Sequence, residues 1–382
     1  MSLSSPTSAR VEQFATRATF LIAGLAMATW APLVPFAKAR LGVDDASFGV
    51  LLLCLGLGSL IAMPFTGALV NRLGCRNVIT ASTFAVALVL PFLVLADSFW
   101  QLALTLALFG ASIGILDVAI NIQAVIVEKA SGRAMMSGFH GLFSLGGIFG
   151  AGGVSLLIGA GMGPLAACLI ICATTLTLLA LAWRGLQKQG LQGGADAPVF
   201  VLPRGIVVFL GLLCFLVFLG EGAVLDWGAL FLIASQGADQ AVAGLGYTMF
   251  AIAMTIGRLS GDVIVRRFGG SRVVLAGGLL SALGFLIAVM APVLWLALAG
   301  FLLVGFGASN IVPVIFSAAG RQTRMPAGLA VASVTTMGYA GILIGPAVIG
   351  FIAQHAGLGL AFALLGAAYL FVGIAGSRQN RR

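Results

Sequence analysis

Gly67-Ala68-Leu69-Val70-Asn71-Arg72-Leu73-Gly74-Cys75-Arg76 separates two long apolar runs, and a degenerate copy follows later as Gly261-Asp262-Val263-Ile264-Val265-Arg266-Arg267-Phe268-Gly269. Glycines there permit a tight turn, and arginines just beyond an apolar run can bond the last carbonyls of neighbouring helices or nearby carboxylates. Outward from this pair, similar strings recur in order about 195 to 197 positions apart. Trp30 answers Trp227, and Arg72-Leu73-Gly74 answers Arg267-Phe268-Gly269. Phe109-Gly110-Ala111-Ser112 answers Phe306-Gly307-Ala308-Ser309, and Ala160-Gly161-Met162-Gly163 answers Ala356-Gly357-Leu358-Gly359. Each match is weak alone. Four in order at a nearly constant offset predict two duplicated halves in the same orientation.

Composition supplies the solvent for this fold. The chain is 60% hydrophobic and only 8% charged, with a mean hydropathy of +1.14, well outside the soluble globular range. An all-α polytopic membrane protein follows. Each pass takes about 20 apolar residues, so the 382 residues accommodate about twelve. Passes are expected near 14–37, 48–70, 77–96, 100–127, 135–158 and 163–183, then 204–235, 243–265, 273–291, 293–319, 326–353 and 358–376. Arg184 to Pro203 is the one long polar, Gly-rich stretch and reads as a linker between six-helix halves 1–183 and 204–382. No apolar stretch before the first run resembles a cleavable signal.

Positive charge orients the chain. Arg10, Arg17, Arg72, Arg76, Arg133, Arg184, Arg204, Arg272, Arg321 and Arg378 fall on one side, whereas only Lys38 and Arg40, balanced by Asp44 and Asp45, fall opposite. The positive-inside rule then makes both termini and the linker cytoplasmic. The formal charge of +9 is accounted for by this bias, without a nucleic-acid partner. The partners expected are membrane lipid, protons and a small solute, with the protein a monomer. Cys54, Cys168, Cys172 and Cys214 lie within apolar runs and Cys75 in a loop, which suits neither disulfides nor a metal. No Gly-rich loop joins a strand to a helix, so no nucleotide or other cofactor is expected. No set of nucleophile, base and orienting group marks an enzyme.

Ionisable residues inside apolar runs are the candidates for function, because each costs roughly 2.5–3.5 kcal/mol on insertion and persists when it faces a cavity, partner or proton path. Asp117 lies deep in the run from Trp100 to Val127, and Asn121 follows one turn later on the same face. His140 should sit at similar depth, with Ser144 one turn further, giving an expected cluster of Asp117, Asn121, His140 and Ser144. Glu221 and Asp226 are five apart, about 140° around a helix, so one faces the cavity; Glu221, lying deeper, is favoured. Trp30 and Trp227 offer flat apolar faces, while Asn310 and Tyr339 complete the binding candidates in the second half. The plainer reading stands beside each: an acid or imidazole bonded across helices, a tryptophan packing at an interface. Asn71, Arg72, Arg76, Arg258, Asp262 and Arg267 read as a conformational latch, with Arg258 and Asp262 four apart and able to pair. Arg258, like Arg17, is placed toward the cytoplasmic end, which leaves an anionic solute without a deep cationic partner.

The parallel repeat resembles the plan of the major facilitator superfamily, which implies a solute site near the bilayer midplane between halves. Gly67 to Arg76 resembles that family's G-x-x-x-D-R-x-G-x-R signature, with Asn71 in place of the acid. Leu116-Asp117-Val118-Ala119-Ile120-Asn121 looks like the L-E-T-A-A-N string of fucose-permease-type sugar:proton symporters. In those the acid is implicated in proton coupling and sugar binding. The Glu221-to-Trp227 spacing resembles glucose and galactose members, and His140 falls where the relatives carry a glutamine-bearing segment. Ala31 stands where that type has a second acid in helix one, so a scheme using carboxylates of helices one and four is not available. Leu116-Asp117-Val118, Phe139-His140-Gly141 and Leu225-Asp226-Trp227 resemble bacterial inner-membrane proteins of the YbjJ type, which implies that membrane as the location. The expectation is an alternating-access transporter coupling protons to a small neutral solute such as a sugar or polyol. The rivals are proton-coupled efflux of amphipathic cations and a receptor that binds without transport.

Overall fold

A computed structural model describes residues 6–43, 45–190, 202–238 and 245–379; most of the linker and Asp44 lie outside them. The helices are α1 (Pro6–Ala28), α2 (Val34–Leu41), α3 (Asp45–Leu95), α4 (Phe99–Ser131), α5 (Met136–Gly159) and α6 (Pro164–Ala182). The later helices are α7 (Ile206–Gln236), α8 (Leu245–Phe268), α9 (Gly270–Met290), α10 (Leu294–Ala308), α11 (Ile311–Arg321) and α12 (Ala327–Gln379). Among the described residues, 10 stretches are long and apolar enough to cross a membrane. Two of these, in α3 and α12, are broken by glycines in non-helical conformation, so each holds two passes and the total reaches twelve.

Those breaks reproduce the repeat in backbone geometry. Gly74 (φ 82°, ψ 156°), Gly269 (φ 81°, ψ 148°) and Gly357 (φ 81°, ψ 158°) share one conformation, and Gly161 (φ 90°) is positive as well. This region is open essentially to glycine alone. Gly74 pairs with Gly269 and Gly161 with Gly357 in the repeated strings, so duplicated sequence gives duplicated corners.

Helix packing repeats too. A Cβ on Gly110 would strike the Leu55 carbonyl, and one on Gly305 would strike that of Phe250; both pairs differ by 195 positions. Gly146 lies against the Leu21 carbonyl and Gly341 against that of Phe215 in the same manner. The register of close approach at the fourth and tenth passes is thus 195, not the 197 of the matching strings there. Backbone contact requires a glycine facing the neighbour and is indifferent to which residues flank it.

Two of the expected passes are bent by proline. The first ends at Ala28 and continues through a 3-10 turn, Ala31–Leu33, into α2. Pro32 has no amide to bond the Ala28 carbonyl. The expected pass at 293–319 is split at Ser309 and Asn310 between α10 and α11, because Pro313 leaves the Ser309 carbonyl without its intrahelical donor.

By contact the chain forms two compact units. Unit one comprises Met1–Gly132, Leu142–Pro203 and Met325–Ser333; unit two comprises Arg133–Gly141, Arg204–Arg324 and Val334–Arg382. The main division falls where the linker ends. Each unit also takes the first turns of a helix, α12 or α5, whose remainder belongs to the other, which the repeated strings do not reveal.

Candidate functional site

In unit one, Asp117 and Asn121 are 8% and 0% exposed on α4, and the Asn121 amide nitrogen donates to the Asp117 carbonyl at 2.8 Å. That bond, one turn back along the helix, uses one of the two amide N–H donors. The Asn121 amide oxygen has no hydrogen-bond partner among the described residues. Ser144 belongs to this unit, while His140 belongs to unit two, where Nδ1 lies 3.0 Å from the Met136 carbonyl and the ring packs 5.6 Å from Phe316. Trp30 is buried in the apolar core of unit one with Leu25, Leu33 and Phe109.

The Gly67–Arg76 segment grips the end of α6. Arg76 donates from Nε (3.2 Å) and NH2 (3.0 Å) to the Leu186 carbonyl and from NH2 to that of Arg184 at 3.2 Å. Its backbone amide donates to the Gln187 carbonyl at 2.8 Å, and its guanidinium lies 4.6 Å above the Trp183 ring. Gln123, fully buried, accepts from the Gln187 amide at 3.0 Å and donates to the Gly185 carbonyl at 3.4 Å. Sequence reading missed Gln123, although a glutamine inside an apolar run was a visible signal. Asn71, where the family signature has an acid, has both amide atoms buried and unpartnered among the described residues. It borders Gly328 at the start of α12 and Gly190 of the linker. Arg72 and Arg267 are exposed, the latter 5.5 Å from the Phe268 ring.

Unit two holds the acid and base that sequence reading did not join. Arg258 NH2 lies 3.6 Å from Glu221 Oε2, and Arg258 Nε donates at 3.4 Å to the Ser309 carbonyl, the one released by Pro313. Arg258 is 9% exposed and ten residues before the end of α8 at Phe268, about 15 Å along a helix. That is half of a hydrocarbon core about 30 Å thick. The expectation that Arg258 belongs to the end of its helix is therefore corrected: an arginine has room to snorkel only where helix neighbours leave it a path outward, and here Glu221 and Ser309 hold it inward.

Around this pair, Asn310 donates to the Gly257 carbonyl and Ser309 Oγ, both at 3.0 Å. Its amide oxygen faces Gly261, where any Cβ would collide with it. Gly257 and Gly261 are one turn apart on α8 and admit the Ser309–Asn310 bend. Tyr339 packs edge-on to Phe218 at 5.8 Å. Asp226 is exposed whereas Glu221 is half-buried, in keeping with their different faces. Trp227 Nε1 is buried without a partner among the described residues, its ring edge against Gly350. At the arginine-rich end, Asp262 Oδ1 accepts from the Gly138 amide at 3.0 Å, capping the first turn of α5, and Arg266 donates to the Ala134 carbonyl at 3.2 Å.

Six of the eight buried side-chain polar atoms without a partner among the described residues belong to Asn71, Asn121, Glu221, Trp227 and Asn310. Leaving one such atom unpaired in an apolar surrounding costs about 1–3 kcal/mol.

The sequence profile of the Major Facilitator Superfamily matches residues 210–378. An MFS-type transporter of Yersinia pestis, described as uncharacterized, is 57% identical over 351 residues, 92% of this chain and 91% of that protein. The membrane protein MosC of Rhizobium meliloti is 32% identical, covering 90% of this chain and 84% of its own. Among solved structures, the E. coli fucose:proton symporter FucP matches with a TM-score of 0.78 at 18% identity over 97% of this chain and 98% of its own. The human organic anion transporter MFSD10 matches at 0.76 and 19% over 97% and 99%. At those identities the two structures share the fold alone.

Proposed function

Because the chain belongs to the major facilitator superfamily, we propose that this multi-pass membrane transporter works by alternating access of its halves 1–183 and 204–382, coupling protons to symport of a small hydroxylated solute of the sugar or polyol kind. The observation that supports this most is the set of buried polar atoms in unit two without a partner among the described residues, on Glu221, Trp227 and Asn310, a carboxylate oxygen, an indole N–H and an amide oxygen. They are complementary to hydroxyl groups, which both donate and accept. A proton on a membrane-buried carboxylate, Asp117 or Glu221, accompanies the solute inward and leaves on the other side. His140 and Ser144 add hydrogen-bonding groups, and Trp227 an apolar face for a sugar ring. Binding must favour one conformation over the other for coupling to occur.

The arginine-rich ends face the cytoplasm in this reading, in a bacterial inner membrane, and the protein acts as a monomer. The Asp262 cap on α5 serves as a latch, released as the halves rock, while the Arg76 bonds tie the start of the linker to the corner at Gly74. Purified protein in proteoliposomes, challenged with sugars, polyols, sugar acids and organic cations while internal pH is followed, tests the proposal. Inward proton flux with a hydroxylated solute, abolished by Asp117→Asn or Glu221→Gln, is expected. Proton release on adding cations would favour efflux instead. Full proton-driven accumulation in both variants would refute the coupling scheme.

A further inference from the structure

A cavity of about 380 Å³ lies within unit two, at the end where α7 and α9 begin and α11 and α12 stop. That volume falls within the roughly 300–1,000 Å³ of ligand sites. Its lining is graded. Leu213, Val274, Ile315 and Gly376, one from each helix, are buried and apolar, Ala318 is half-buried, and Arg321 is exposed. Contact closes the inner end, since a Cβ on Gly376 would meet Val274 and Leu213. Arginines flank the lining on all four helices. Arg204 precedes Ile206, and Arg272 precedes Val274, by two residues; Arg324 follows Gln322, and Arg378 follows Gly376, by two, and all four arginines are exposed. With Arg321 they bring five positive charges. No Asp or Glu follows Asp262 in the chain, and the first acid on α7 is Glu221, fifteen residues after Ile206, about 22 Å along a helix. Asp262 itself is turned to the Gly138 amide. The dipoles of two helices that start here and two that end here offset, so the arginines set the sign, whatever bonds they make within the protein. The positive-inside bias accounts for arginines at helix ends; it does not account for an apolar cavity set among them.

We propose that this cavity binds one anionic phospholipid, with part of an acyl chain among Leu213, Val274 and Ile315 and the phosphate beside Arg321 in the field of the other arginines. The surrounding bilayer presents such lipids at this level, apolar along the chains and negative at the headgroup, and basic pockets between membrane helices hold anionic headgroups. A water-soluble anion forgoes the apolar interior, and a zwitterionic lipid brings a cation to the arginines. This binding is independent of the solute transported and of its coupling to protons.

The test titrates delipidated full-length protein in detergent with dioleoylphosphatidylglycerol, dioleoylphosphatidylcholine or glycerol phosphate, counting bound molecules by native mass spectrometry and following the melting temperature. One phosphatidylglycerol retained in preference to phosphatidylcholine is expected, with a rise in melting temperature that shrinks as salt is added. Arg321→Ala should weaken that binding about fivefold. Ala318→Phe, which fills the cavity without changing charge, should weaken it about tenfold. Should Ala318→Phe fail to fold, a phosphatidylglycerol with a photoreactive group at the end of one acyl chain is expected to label α11 in the wild-type protein, and less in Arg321→Ala. Equal retention of the two lipids, binding unchanged in folded Ala318→Phe, or labelling confined to other helices would overturn the site. Stabilisation by glycerol phosphate equal to that by the lipid would show that the headgroup alone is bound and would overturn the acyl-chain assignment.

Discussion

Replacing Asp262 by alanine should loosen the first turn of α5 by an amount the structure allows to be worked out. The Gly138 amide is among the first donors of that helix, which have no intrahelical acceptor, and it donates to Asp262 Oδ1 at 3.0 Å. A hydrogen bond to a charged group contributes about 1.5–3 kcal/mol, and a carboxylate at a helix N-terminus adds about 0.3–1 kcal/mol by its interaction with the dipole. The carboxylate is half-buried, so a net loss of about 2 kcal/mol is expected, a shift of about 30-fold in the local opening equilibrium. Asp262→Asn keeps the acceptor and removes the charge, and should cost about 1 kcal/mol, or fivefold. Hydrogen exchange of the amides of 136–141 in nanodiscs reads this directly, with the amides of 206–212 as internal reference. Gly138→Ala should act in the same direction, since its Cβ would collide with the same carboxylate. Unchanged exchange at Gly138 in Asp262→Ala would refute the capping role and the latch built on it.

Other expectations follow from equally local contacts. Arg76→Ala removes side-chain bonds to the Leu186 and Arg184 carbonyls and should lower stability by about 1–3 kcal/mol, exposing the chain near Gln187 to limited proteolysis at lower protease than wild type. Gly261→Ala should depress the melting temperature because its Cβ meets the Asn310 amide oxygen, and Asn310→Ala in the same chain should restore much of the loss; no rescue would mean that another contact decides the site. Burial pushes the Cys75 thiol, at the corner between the two passes of α3, up to about 12. As the thiolate is the reactive form, maleimide at neutral pH should leave Cys75 unlabelled until the protein is unfolded, as mass spectrometry of the peptide would show.

The residues themselves show how far sequence reading reaches. Twelve passes, a duplicated chain and the glycine corners at 74 and 269 were legible because each is a property of a short stretch: enough apolar length to span a bilayer, or a backbone angle that only glycine adopts freely. Asp117 and Glu221 stood out for the same reason, since a charge in an apolar run is costly whatever surrounds it. The proline signals at Pro32 and Pro313 were present and went unread, and they divide both helices where the structure divides them.

What tertiary structure alone decided is which groups meet. Glu221 and Arg258 are 37 residues apart, and their pairing depends on how α7 and α8 are rotated about their axes, which hydropathy leaves open for α7 because that helix is apolar nearly all round. Gln123 reaching the chain after α6, and Asp262 capping the first turn of α5, are likewise outcomes of helix crossing. A membrane sets the length and direction of each helix one at a time. The chemistry of the site arises where side chains from several helices converge, and packing of glycine against backbone fixes that convergence.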